Sequence, residues 1–179
     1  GSTSADSGTE TTAPNDTGDA QVLLASHPFN VTHPWQLGLE YLGELLYERT
    51  DGRFTVEAHP SGSLSGGSNR SIVEMTGTGA LQIMIHSGLS YQGFNENYAV
   101  FALPFMFPDR ETGFEVMNNS EVAQQAMNWL EPNGCISFST VENGMRFLTN
   151  SKQTVETPDD LKGLKIRIPE AQALVSTFR

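Results

Sequence analysis

Residues 21–59 read as strand, helix, strand, and this succession constrains the fold more than any other feature. Gln21–Ser26 is a short apolar run, followed by the loop His27-Pro28-Phe29-Asn30. From Pro34 onward Trp35, Leu39, Leu42, Leu45 and Leu46 recur at helical spacing, until Thr50-Asp51-Gly52 stops the pattern. Arg53–His59 then alternates, with Phe54, Val56 and Ala58 on one face and Thr55 and Glu57 on the other. Strands joined through a helix pair in parallel, so the chain is expected to build an α/β fold on a largely parallel sheet.

The same grammar continues. A Gly/Ser-rich loop fills residues 59–70, and Ser68 or Asn69 is placed to cap a helix carrying Ile72, Val73 and Met75. Gly77 and Gly79 end that helix before a strand over Leu81–Ile85, which opens into His86-Ser87-Gly88. In open α/β sheets ligands gather outside the carboxyl ends of strands. His27, Asn69, His86 and Ser87 are therefore candidate ligand contacts, and each is also readable as a loop residue satisfied by backbone or water. Further on, the aromatic run around Pro104-Phe105-Met106-Phe107 reads as core and hinge-flanking structure. Asp109–Asn118 and Ser120–Trp129 read as helices, Pro132-Asn133-Gly134 as a break, and Cys135–Val141 as a strand.

The most distinctive stretch lies near the end, Asn143 to Pro169. It reads N-G-M-R-F-L-T-N-S-K and then T-P-D-D-L-K-G-L-K-I-R-I-P. Met145, Phe147 and Leu148 surround Arg146, and Ile166 and Ile168 bracket Arg167. If Leu164–Ile168 is a strand, Arg167 faces away from those isoleucines. Thr157, Pro158 and Asp160 make a box-like helix start between the two runs. By pattern alone each arginine reads as a surface charge, a structural ion pair or an anchor whose planar fork suits a carboxylate.

The Gly144–Pro169 segment resembles the signature of the solute-binding proteins of TRAP transporters, the DctP-like family, whose chains read G-x-R-x-L-T-N and then T-P-x-D-L-K-G-L-K-I-R-x-P. The P-S-G-S-L-S run at residues 60–65 and the aromatic run near Pro104 are similar to further family stretches. The resemblance implies a periplasmic-binding-protein fold with two α/β lobes and an interlobe cleft. It implies that Arg167 grips the carboxylate of a bound organic acid, with Arg146 adding a contact, and that ligand contacts come from the loops holding His27, Asn69, His86 and Ser87. It also implies membrane transporter subunits as partners. On this reading residues 21–143 form the first lobe and residues 144–179 the crossover and the start of a second lobe. Family members continue well beyond Arg179, so that lobe is expected to be incomplete in this chain. A receptor's extracellular ligand sensor on the same fold is the alternative.

Composition adds exclusions. The formal net charge is −11. That disfavours nucleic acid and anionic lipid surfaces, and it requires local arginines to dominate any carboxylate site. The lone Cys135 reads as a buried, inert thiol. No nucleophile elbow, P-loop or metal-ligand spacing among the four histidines appears, so neither an enzyme nor a metal or cofactor site is expected. Residues 1–20 are Ser/Thr/Gly/Asp-rich, without a large apolar side chain, and read as a disordered tether or partly a cloning remnant. Such a tether resembles those that follow the lipidated cysteine of bacterial lipoproteins, which implies an extracytoplasmic location and a lipid anchor lost with a removed segment.

Overall fold

The computed structural model describes residues 20–144, 146–169 and 171–178. The expected tether lies outside them but for Ala20, as do Met145, Glu170 and Arg179. Three strands form one parallel sheet: β1 (Gln21–Ser26), β2 (Phe54–His59) and β3 (Ile83–Met84), in the order β2-β1-β3. The register runs from Gln21 opposite Phe54 to Ser26 opposite His59, and Ala25 faces Ile83 on the other side. With neighbours on both edges, β1 buries Ala25 and Ser26 completely.

Helix α1 (Pro34–Arg49) links β1 to β2 and turns Trp35, Gln36, Leu39 and Gly43 inward. It starts at Pro34 because proline's fixed φ and missing N–H suit the first turn, and it ends where Thr50 bonds back to the Leu46 carbonyl. Helix α2 (Asn69–Gly77) is capped by Ser68, whose hydroxyl accepts from Ser71 N–H at 3.2 Å. Ile72 and Val73 give α2 its buried face, each of them only 1 % exposed. Leaving an aliphatic side chain of this size in water instead would cost about 1.5–3 kcal/mol.

After β3 the chain turns through short 3-10 segments into α3 (Arg110–Asn119) and α4 (Glu121–Met127), capped by Asp109 and Ser120. A compact cluster forms behind them, with Tyr98, Leu130 and Cys135 buried and Trp129, Phe101 and Tyr91 packed around it. Tyr98 meets Trp129 edge-on at 5.1 Å and donates its hydroxyl to the Ala126 carbonyl at 3.0 Å. Burial pushes the Tyr98 phenol up to about 12 and raises the Cys135 thiol as well. Cys135 is thus a buried free thiol, as expected from its apolar setting. Helix α5 (Gln172–Thr177) returns to pack Ala171 and Leu174 against Leu89 and Ile168.

Four expectations need correction. The strand expected over Leu81–Ile85 shortens to Ile83–Met84. Cys135–Val141 and Leu164–Ile168 are irregular chain, because no described strand offers them the ladder bonds a strand requires. The second stretch keeps its alternation: Leu164, Ile166 and Ile168 are partly covered, while Lys165 and Arg167 are exposed. Lastly, Phe105 is not core. It is 98 % exposed, on a left-handed backbone with φ of 57°.

Candidate ligand site

The sheet order has a physical consequence. The connection from β1 goes to β2 on one side, and the next crosses to β3 on the other. The carboxyl ends of β1 and β3 therefore part at a topological switch point, which leaves a crevice. A cavity of about 500 Å³ is found beside it, lined by residues 33–35 and Gly38 of α1 and its cap, by Ile85 just past β3, and by residues 141–143. A second hollow of about 410 Å³ lies between α1 and β2, where Glu40 and Glu44 make it unsuited to an anion.

Two polar groups of the first cavity, His33 and Glu142, are held in place. His33 caps α1 through Nδ1, which accepts from the Trp35 N–H at 3.2 Å. In the neutral ring Nε2 therefore carries the proton and is a donor. The imidazole stacks on Phe29 with centroids 4.1 Å apart and meets Trp35 edge-on at 5.2 Å. Glu142, also in the lining, accepts the Nε–H of Arg110 of α3 on both oxygens, at 2.7 and 2.9 Å. That hydrogen bond holds the Glu142 carboxyl below the usual carboxylate range and raises Arg110 in return. Thr140 donates its hydroxyl to the Met117 carbonyl at 3.3 Å, so α3 pins the chain at two points just before the arginine-bearing stretch.

The residues singled out from the sequence separate into three groups. Asn69, His86 and Ser87 come together at the carboxyl end of β3. His86 Nε2 lies 3.2 Å from Asn69 Oδ1, and its Nδ1 accepts from Ser87 N–H at 2.9 Å, which sets the Nε2–H tautomer. The Ser87 hydroxyl accepts from Leu89 N–H at 3.4 Å and caps the following turn. Burial lowers the His86 imidazole below its ordinary value. His27 is turned elsewhere. It is fully buried, with Nε2 2.8 Å from Gln36 Oε1, and Gln36 donates onward to Glu40 at 2.8 Å. Its Nδ1 has no partner among the described residues.

Arg146 and Arg167 form the third group. Both are exposed, and neither makes an ion pair or a side-chain hydrogen bond with a described residue. Between them the box-like helix start is real: the Asp160 carboxylate accepts from Thr157 N–H at 2.8 Å, from the Thr157 hydroxyl at 2.9 Å and from Glu156 N–H at 3.1 Å. It starts only one 3-10 turn, Pro158–Leu161. Sequence reasoning missed His33, Trp35, Glu142 and Asn143 as cavity walls. The available signal was the position of Glu142-Asn143 immediately before Gly144, where the arginine-bearing stretch begins.

A parallel α/β lobe with a cavity beside its switch point is the architecture of ligand-binding lobes. Residues 25–179 match the model of the family described as bacterial extracellular solute-binding protein, family 7 (DctP), and the chain belongs to that family. It is 31 % identical over 149 residues to the uncharacterized protein YiiZ of Salmonella typhimurium, covering 83 % of this chain and 45 % of the relative. Among solved structures it superposes with a TM-score of 0.81 and 27 % identity on a TRAP periplasmic solute-binding protein of Anaerococcus prevotii with bound α/β-D-glucuronate, covering 88 % of this chain and 50 % of that one. A TRAP periplasmic solute-binding protein of Pseudomonas aeruginosa with bound L-malate gives 0.80 at 25 % identity, covering 88 % and 53 %. The chain thus spans about half the length of the relatives it matches. No described helix is long and apolar enough to cross a membrane.

Proposed function

We propose that this protein captures a small organic acid outside the cytoplasm and delivers it to the membrane subunits of a TRAP-type transporter. The observation that carries the reading is the continuity between the cavity and the arginine-bearing stretch. Asn143 lines the cavity, and Arg146 follows three residues later with its charge uncommitted among the described residues. Arg167 would hold the ligand carboxylate through paired, charge-assisted hydrogen bonds, and Arg146 would support it. Asn69, His86 and Ser87, already drawn together at the end of β3, would contact the ligand from the first lobe, residues 21–143. Residues 144–179 would begin the second lobe, and hinge closure between lobes would bury the acid. The bound glucuronate and malate of the structural neighbours support a carboxylated solute. An anchor to the membrane through a lipidated cysteine ahead of the tether belongs to the same reading.

A thermal-shift screen of the protein in its full native length, against organic acids, sugar acids and amino acids, tests this. A ligand at ~100 times its Kd adds about 2.7 kcal/mol to native stability, a readable shift. Hits confined to carboxylates and lost in Arg167→Ala are the expected result. Stabilisation by uncharged solutes alone would overturn the reading.

A further inference from the structure

Asparagine followed by glycine occurs twice in this chain, at Asn133-Gly134 and at Asn143-Gly144. The pair is chemically reactive, because glycine has no Cβ to shield its own amide nitrogen from the preceding side chain. We propose that Asn143 is a site of spontaneous deamidation, which puts a second carboxylate on the cavity lining beside Glu142, and that Asn133 is protected by its turn.

The reaction needs a free amide nitrogen and a peptide plane able to rotate. The Gly144 nitrogen, giving up its proton, attacks Asn143 Cγ. The N–Cγ bond forms, the Cγ–Nδ2 bond breaks and ammonia leaves, so that a cyclic succinimide remains. Water then opens the ring. Cleavage at Cγ gives aspartate, and cleavage at the main-chain carbonyl gives isoaspartate, with the chain running through Cγ. The sum is water consumed and ammonia released, with no oxidation or reduction.

At Asn143 no described contact opposes this. Asn143 and Gly144 are both exposed in irregular chain. Neither the Gly144 N–H nor the Asn143 side chain makes a hydrogen bond with a described residue. The space where a Gly144 Cβ would stand is empty to 4 Å. Asn133 differs in its bonds and not in its glycine, since Gly134 and Gly144 share a left-handed backbone, with φ of 79° and 78°. Asn133 ends the 3-10 turn Glu131–Asn133. Its N–H donates to the Leu130 carbonyl at 2.9 Å, the Gly134 N–H to the Glu131 carbonyl at 2.9 Å, and the Cys135 N–H to Leu130 again at 3.2 Å. The Asn133 carbonyl also abuts Gly77. The attacking nitrogen is thus already bonded, and rotating its peptide plane would break the turn.

Asn143 lines the cavity together with Glu142, so its deamidation adds a negative charge there. The effect on ligand rests on the carboxylate-capture reading above: the new charge opposes an anion.

Incubation of the full-length protein at pH 8, followed by peptide mapping by mass spectrometry, tests the chemistry through the mass gained when the amide NH2 becomes OH. Asn143 is expected to convert about tenfold or more faster than Asn133, whose turn bonds must open first. In concentrated urea the two rates should converge, because the reacting pair is the same. Asn143 unconverted in the folded protein, or converted no faster than Asn133, would overturn the proposal. A rate difference that persists in urea would overturn the protective role of the turn. Asn143→Asp carries the added charge from the start, and it should weaken several-fold the binding of a carboxylate found in the thermal screen. Unchanged affinity would overturn the effect on ligand and leave the conversion standing. Failure of the unmodified protein to bind any carboxylate would overturn the organic-acid reading, and the peptide map would still decide the conversion.

Discussion

Gly134 lies against Gly77 so closely that neither position has room for a Cβ. A methyl group on Gly77 would collide with the Asn133 carbonyl, and one on Gly134 with the carbonyl of Gly77 itself. Backbone thus meets backbone where the end of α2 abuts the turn after α4, directly beside buried Cys135. This contact ties the parallel sheet's second helix to the aromatic cluster around Tyr98.

Alanine at Gly77 should therefore lower stability by about 1–3 kcal/mol, the usual cost of forcing atoms into packed space. Gly134→Ala should cost more. Its φ of 79° adds a left-handed penalty of roughly 1–2 kcal/mol that a side chain makes worse. Urea-unfolding midpoints would give this ranking directly. Equal, negligible losses would mean the two segments do not pack as described.

His27 is expected to serve stability first. Its Nε2 bonds to Gln36, which bonds onward to Glu40, while Nδ1 is already without a described partner. Gln36→Leu would leave the buried ring unsatisfied on both nitrogens, at a cost of about 1–3 kcal/mol. Thermal and urea unfolding would register that loss. If His27 instead contacted ligand directly, Gln36→Leu would keep near-wild-type stability and lose affinity.

The His86 imidazole predicts an acid-side loss of stability. Burial depresses its folded-state value below the ordinary 6.5, the value expected when the chain is unfolded. Between those two values the unfolded chain holds the extra proton, so stability rises with pH across that window. The contribution is complete above about pH 6.5 and declines as the pH falls toward the folded-state value. Denaturation midpoints measured from pH 8 down to pH 5 should fall below neutrality. In His86→Gln a component of that fall should be missing. A variant whose pH profile parallels the wild type would remove His86 as a source of the effect.

How much of this was legible depended on how local the cause was. The bounds of β1 and α1, the parallel pairing of β1 with β2, and a cap at Ser68 or Asn69, of which the fold uses Ser68, follow from short-range patterns. The Asp160 box was legible as hydrogen-bonding chemistry but not as a long helix, because capping starts a helix without supplying an apolar face to sustain it. The alternation at Leu164–Ile168 was read correctly, yet its strand is absent, because ladder bonds belong to a partner and not to the segment. Phe105 misled for a related reason: an aromatic run says nothing of whether another element covers it. The cavity was illegible altogether. It needs His33, from the first helix cap, to face Glu142, whose position is set by Arg110 on a different helix. Topology alone grouped His27, Asn69, His86 and Ser87; the fold brings the last three together, while His27 turns to Gln36.

Arg167 offers the sharpest test of the proposed site. It lies exposed in irregular chain, its neighbours Ile166 and Ile168 partly covered, and no ion pair with a described residue fixes its fork. If it holds a ligand carboxylate that becomes buried on closure, Arg167→Ala leaves that anion desolvated and unpaired. Affinity should then drop by roughly 2–5 kcal/mol. Arg167→Lys should recover little of it, since an ammonium is a point charge and cannot donate two parallel hydrogen bonds to both oxygens. Arg146→Ala should cost less than Arg167→Ala if it only supports the anchor. Calorimetry of the three variants against a carboxylate identified in the thermal screen would order them. Full rescue by lysine would mean that Arg167 contributes only net charge, and undiminished binding in Arg167→Ala would remove it from the site.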